Sequence, residues 1–259
     1  MMDIGGKAEG LRRMQALGIQ VPKFEVLSTS NSTTATNEFL TRVLGNIGTG
    51  PYAVRSSANV EDGKFASFAG IFETRLGVSY ADLPSAIESV QRSTDTERAR
   101  QYIETLGPKI SRKIEMAVIV QQLVDPDFSG VALSYAPRTC KKALLVEAIR
   151  GIGELLVSGE IEPDLYLVNR SDFRITDRRK GDQRYMQTID GLRRLSSSEI
   201  ATGAFHLRDK EILEVAKVVK ILEDATNGPI DMEFCFEDGS FLGLQARPLV
   251  DISERKAAT

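Results

Sequence analysis

Apolar residues along the chain change period several times, and each period predicts an element. Ala8, Leu11, Met14 and Leu17 repeat every three residues, one face of a short helix that opens on Gly5 and Gly6 and ends at Gly18. Pro22 then introduces the strand-like residues 24–27, and the Ser/Thr/Asn-rich stretch 28–37 suits a loop that feeds a helix. Tyr52-Ala53-Val54 predicts a short strand running into a polar loop over 55–70. A helical pair is expected over 83–93, with Ile87 and Val90 inward, and 95–106, with Tyr102, Ile103 and Leu106 as its apolar stripe.

At Ile114 the texture changes. Residues 116–120 are almost all apolar and partly β-branched, as in a strand buried on both faces, and a second lobe is expected to start here. Residues 131–135, 143–149 and 165–168 predict further strands. The basic stretch 174–194 has turn signals at Gly181-Asp182 and Asp190-Gly191, so solvated hairpins are a better reading than a docking patch. A last long helix is expected over 209–226, with Ile212, Val215, Ala216, Val219 and Leu222 as its stripe, ended by Asn227-Gly228-Pro229. The expected division is a lobe over 1–113, a lobe over 114–252 and a tail over 253–259.

Candidate chemistry concentrates in the hairpin that follows. In residues 230–236 apolar side chains alternate with Asp231, Glu233 and Cys235; in 241–247, Leu242, Leu244 and Ala246 alternate with Gly243, Gln245 and Arg247. A two-residue loop at Asp238-Gly239 would set Glu233 against Leu244 and mix polar with apolar on both faces. A three-residue loop with Gly239 left-handed sets Glu233 against Gln245 and Asp231 against Arg247, making one face apolar and the other polar, with Gly243 giving close backbone access. A carboxylate beside a carboxamide oxygen is a hard-oxygen pair suited to magnesium, and an arginine next to it to a phosphate. A cross-strand ion pair and a hydrogen bond on a wet sheet would use the same residues.

Composition narrows the classes. The 259 residues are 42% hydrophobic and 27% charged, the profile of a folded globular protein of one to two domains. A net charge of -3 gives no global reason to bind nucleic acid or anionic lipid. Cys140 and Cys235 have no metal-ligand spacing and no apolar run approaches a membrane span, so a reducing, cytoplasmic setting is expected, with no membrane partner.

Short blocks along nearly the whole chain carry a resemblance. Gly5-Gly6-Lys7-Ala8, Val54-Arg55-Ser56-Ser57-Ala58 with Glu61-Asp62, Ala66-Ser67-Phe68-Ala69-Gly70, Gln121-Gln122-Leu123-Val124, Ser129-Gly130-Val131, Gly151-Ile152-Gly153-Glu154, Pro163-Asp164 and Gln245-Ala246-Arg247-Pro248 occur in the order found in the N-terminal domain of the phosphoenolpyruvate synthase and pyruvate phosphate dikinase family. Rifampicin phosphotransferase and phenylphosphate synthase share that module. The resemblance implies an α+β, two-lobed ATP-grasp fold with Mg-ATP held between the lobes.

Carried over residue by residue, it implies that Lys7, Arg55 and Arg247 contact phosphate and act in catalysis, and that Ser67, Phe68, Ala69 and Gly70 form a loop over the phosphates. It further implies that Gln121, Gln122, Leu123 and Val124 form an inter-lobe hinge whose backbone meets adenine, and that Glu147 binds ribose. Glu233 and Gln245 match the metal ligands, and Asp231 orients Arg247. The single histidine, His206, lacks the family's histidine-loop surroundings and is expected to be structural. Lys23 and Ala136 depart from the family's pattern, which leaves the acceptor open. The function so implied is phosphoryl or pyrophosphoryl transfer from Mg-ATP to a histidine on a separate protein or domain. Alternatives are an autonomous ATP-dependent small-molecule kinase or ligase, and a nucleotide sensor.

Overall fold

The computed structural model describes residues 4–29, 35–60, 71–106, 114–136, 143–201 and 203–249. The chain divides into two units, one made of 1–13 and 22–124, the other of 14–21 and 125–259. Each unit holds an antiparallel sheet and helices, the α+β class expected.

The first unit is built on a four-stranded sheet of β1 (Phe24–Leu27), β2 (Tyr52–Ala58), β3 (Thr74–Val78) and β4 (Met116–Gln122), in the order β1-β4-β2-β3. Its core joins Val54, Val118 and Val120 to Phe39 and Val43 of α2 (Asn37–Asn46) and to Leu83, Ile87 and Val90 of α3 (Leu83–Arg92). A smaller cluster around Ala58, Phe72 and Ala99 seats α4 (Glu97–Leu106). The helix α1 (Gly5–Ala16) opens at Gly5, and Gly18 takes the left-handed φ of 75° two residues beyond its end. Two expectations change here. The strand at Tyr52 continues through Ala58, so the expected loop starts later. The boundary between units falls after Val124, not after residue 113, because β4 pairs with β1 and β2. Its burial on both faces is as expected; a pattern of continuous burial shows that a strand is central without showing in which sheet.

In the second unit, β5 (Phe128–Leu133), β6 (Ala143–Arg150), β7 (Asp164–Asn169), β8 (Ile175–Arg179), β11 (Ile230–Glu237) and β12 (Ser240–Pro248) form one sheet in the order β12-β11-β5-β6-β7-β8. The short helices α5 (Glu154–Val157) and α6 (Ser197–Ala201) lie in its connections, and β9 (Tyr185–Thr188) and β10 (Gly191–Arg194) form a separate ribbon. The ribbon turns at Ile189-Asp190, next to the expected signal. Gly181-Asp182 does not turn a hairpin, because β8 pairs with β7; the Gly181 N–H instead donates to Asp164 at 2.9 Å.

Register assigns the faces of this sheet. Met232, Ala132, Val146 and Tyr166 lie in one row, with Phe234, Gly130 and Ala148 in the next row on the same side. The helix α7 (Asp209–Thr226), with Ile212, Val215, Ala216, Val219 and Leu222 buried, packs across β11, β5, β6 and β7. Among the described residues no helix is long and apolar enough to cross a membrane.

Candidate functional site

The sheet's second face carries the polar row. Gln245, Glu233, Val131 and Glu147 follow one another across β12, β11, β5 and β6; Arg247, Asp231, Leu133 and Leu145 form the adjacent row. The expected pairings Glu233 with Gln245 and Asp231 with Arg247 are present, but they arise differently. The loop is the two-residue turn Asp238-Gly239, with φ of 50° and 71°, the type I′ geometry. That turn pairs Phe234 with Gly243, and a bulge at Leu244 then shifts the register so that Gln245 meets Glu233. The bulge also moves Gly243 off the polar set. Its N–H donates to Gln20 O at 2.8 Å, and a Cβ there would lie 2.6 Å from Met14 Sδ. Gly243 is therefore a packing glycine and not the access point expected.

A single oxygen of Asp231, Oδ2, accepts from Arg247 Nε at 2.9 Å and from Nη2 at 2.7 Å, which orients the guanidinium. Burial nevertheless holds the Asp231 carboxyl above its ordinary value; Arg247 opposes the shift and the Glu233 charge adds to it. Glu147 is also shifted upward, first by burial and then by the charge of Asp231. The row thus places several carboxyls on a half-buried surface with Val131, Leu133, Leu145, Leu165 and Leu167 beside them. Apolar walls with a few fixed polar groups are the usual composition of a small-molecule site.

Lys7, Arg55 and Gln121 to Val124 belong to the first unit; Glu147, Asp231, Glu233, Gln245 and Arg247 to the second. Lys7 Nζ donates to Ser56 Oγ at 3.0 Å, and Arg55 Nη1 donates to Gln121 Oε1 at 3.4 Å. The adenine expectation for 121–124 loses two backbone donors: Gln122 N–H goes to Lys23 O at 2.8 Å and Leu123 N–H to Pro51 O at 3.1 Å. The Gln121 side chain, 2% exposed, has an Nε2 donor without an acceptor among the described residues. Ser67, Phe68, Ala69 and Gly70 lie outside the described residues.

Sequence reasoning gave no role to Ser56 and Ser57, which are fully buried. Ser57 Oγ accepts from Ala8 N–H at 3.1 Å and donates to Ile4 O at 2.7 Å, tying the start of α1 to β2. Ser129, whose Oγ is buried without a hydrogen-bond partner among the described residues, and Asp164 likewise carry no role in the sequence beyond their motifs. Asp164 is fully buried and accepts from Lys180 Nζ at 2.9 Å and from the His206 N–H at 2.7 Å. Burial lowers the His206 imidazole below its ordinary value, as suits a structural histidine. A cavity of about 50 Å³ beside it is lined by Arg150, Lys180, Gln183 and His206, none of them in the polar row.

Comparison with known proteins decides the family. The model of the pyruvate phosphate dikinase AMP/ATP-binding domain matches residues 33–259. The chain belongs to this family. It is 35% identical over 211 residues to a protein named probable phosphoenolpyruvate synthase from Methanocaldococcus jannaschii, covering 79% of the chain and 18% of that protein. It is 33% identical over 206 residues to rifampicin phosphotransferase from Bacillus subtilis, covering 78% and 23%. The chain spans between 18% and 31% of the length of eight curated relatives it matches. Among solved structures it shares its fold with PH1788 from Pyrococcus horikoshii, at a TM-score of 0.52 and 14% identity, over 95% of this chain and 90% of that one. The chain thus has the α+β class that its sequence predicts, with an antiparallel sheet in each unit.

Proposed function

We propose that this domain binds Mg-ATP and passes a phosphoryl or pyrophosphoryl group to a histidine on a separate domain or subunit. The observation that carries the reading is the pair of adjacent rungs, Glu233 with Gln245 and Asp231 with Arg247, on one half-buried face of β11 and β12. Among the described residues no three His, Cys, Asp or Glu side chains are clustered to hold a metal. A magnesium site does not need them: Mg²⁺ usually takes one or two carboxylates and fills its octahedron with water and substrate phosphates. Glu233 and Gln245 supply hard oxygens on directly paired residues, so their chemistry fits this ion.

In this reading Mg²⁺, held by Glu233 and Gln245, would neutralise phosphate charge when bound, while Arg247, oriented by Asp231, takes a phosphate oxygen. Lys7 and Arg55 contact phosphate, and Glu147, two strands from Glu233 and roughly 9–10 Å away at the backbone, takes the ribose hydroxyls. Positioning and charge stabilisation carry the catalysis, since phosphoryl transfer asks little covalent work of the protein. In cytoplasmic conditions the acceptor histidine would reside on a partner protein or domain.

The test is Glu233→Ala. Turnover of labelled ATP, with a phosphohistidine-carrying partner supplied, should fall about 100-fold or more, the scale of losing one preorganised charge-stabilising group, with circular dichroism unchanged. Near-normal turnover would refute the metal role. Release of AMP marks pyrophosphoryl transfer and ADP a simple kinase; turnover with a metabolite and no added protein would favour the autonomous kinase or ligase.

A further inference from the structure

We propose that Ser56 is a positioning residue that holds the Lys7 ammonium ready for a nucleotide phosphate. The inference rests on the reading of Lys7 as a phosphate contact.

Ser56 lies on β2, paired with Val118 of β4, and is 0% exposed. A hydroxyl in such a place costs desolvation unless it is used. Its Oγ accepts from Lys7 Nζ at 3.0 Å across 49 residues of chain. The next residue completes the arrangement. Ser57 Oγ holds both Ala8 N–H and Ile4 O, so the backbone on either side of Lys7 is fixed to the strand from which Ser56 projects. Gly5 allows that approach: its φ is 70°, and a Cβ there would lie 2.1 Å from Ser57 O.

The chemistry of the partner matters. A lysine side chain carries considerable rotamer entropy, which ordering by a ligand would otherwise remove at the moment of binding. The Ser56 hydroxyl orders the side chain before the ligand arrives, so less ordering is left to binding. Ser56 thus acts on the nucleotide through Lys7 alone.

A double-mutant cycle tests this on the intact chain, with calorimetric titration of Mg-ATP and, as a control without phosphates, adenosine. Ser56→Ala is expected to weaken Mg-ATP binding about three- to tenfold, the size of one net hydrogen bond, and to leave adenosine binding unchanged. In a Lys7→Met background the same substitution should have no further effect, and Ser56→Thr, which keeps the hydroxyl, should restore most of the affinity. Loss in Lys7→Met with Ser56→Ala within twofold of the parent would overturn the positioning role and leave the reading of Lys7 standing. So would additive losses in the double variant, or equal losses for adenosine, which mark a structural role. Unchanged Mg-ATP affinity in Lys7→Met would overturn the reading of Lys7 and the proposal with it.

Discussion

At the scale of single residues, the carboxyls of Glu147 and Asp231 are held against their own preference for water. Glu147 shows this most simply, since burial and the charge of Asp231 both push its pKa above the ordinary 4.5. A carboxyl raised on folding binds its proton more tightly in the folded state, so its contribution to stability declines as pH rises from about 4.5 through the folded value. Glu147→Gln removes the desolvated charge. The variant is expected to melt higher than the parent at about pH 7.5 and equally at about pH 3, where both states of the parent carry the proton. A scan of melting temperature against pH checks this, and a lower melting point for the variant at neutral pH would contradict it. Such a residue is kept for a ligand more readily than for the fold, in keeping with its proposed ribose role.

Among the elements, two glycines illustrate opposite constraints. Gly130 sits in the middle of β5 where the Phe234 ring crosses it: a Cβ would lie 2.2 Å from Glu147 O and 2.4 Å from Phe234 Cζ. Gly130→Ala must push β6 and β11 away and is expected to cost about 3 kcal/mol or more, at or beyond the upper end of overpacking in a closed core. Gly45 lies in α2, with open space around its Cα and no left-handed φ. Gly45→Ala is therefore expected to stabilise by about 0.5–1 kcal/mol, through helix propensity and a less flexible unfolded chain. Urea unfolding of the two variants reads both signs in one experiment. Neither environment is visible locally in the sequence, where both are single glycines inside a regular run. What separates them is the long-range register that brings Phe234 over Gly130.

For the whole molecule, a ligand that binds only the folded chain must stabilise it. At a hundred times its dissociation constant Mg-ATP should add about 2.7 kcal/mol, seen as a rise in the melting temperature that chelation of the metal reduces. Glu233→Ala should lose the metal-dependent part of that rise and keep the remainder; a full metal-dependent rise in this variant would count against the site.

Much of this protein was legible in its sequence. The helical stripe of 209–226, the alternation in 230–236 and the family blocks gave the α+β class, and the polar and apolar sets required Glu233 to face Gln245. Local periodicity suffices there because one face must be buried and a slip of one residue would expose it. The means of reaching that register was decided elsewhere. Asp238-Gly239 favours a two-residue turn, and a bulge at Leu244 reconciles the turn with the face while Met14 and Gln20 occupy the space beside Gly243. The sheet to which β4 belongs, and the use of Ser56 and Ser57 to fix Lys7 and the start of α1, were likewise set only by the tertiary structure. The physical reason is shared: burial pattern along one segment reports how much of it is covered, whereas the identity of the covering group depends on residues dozens of positions away.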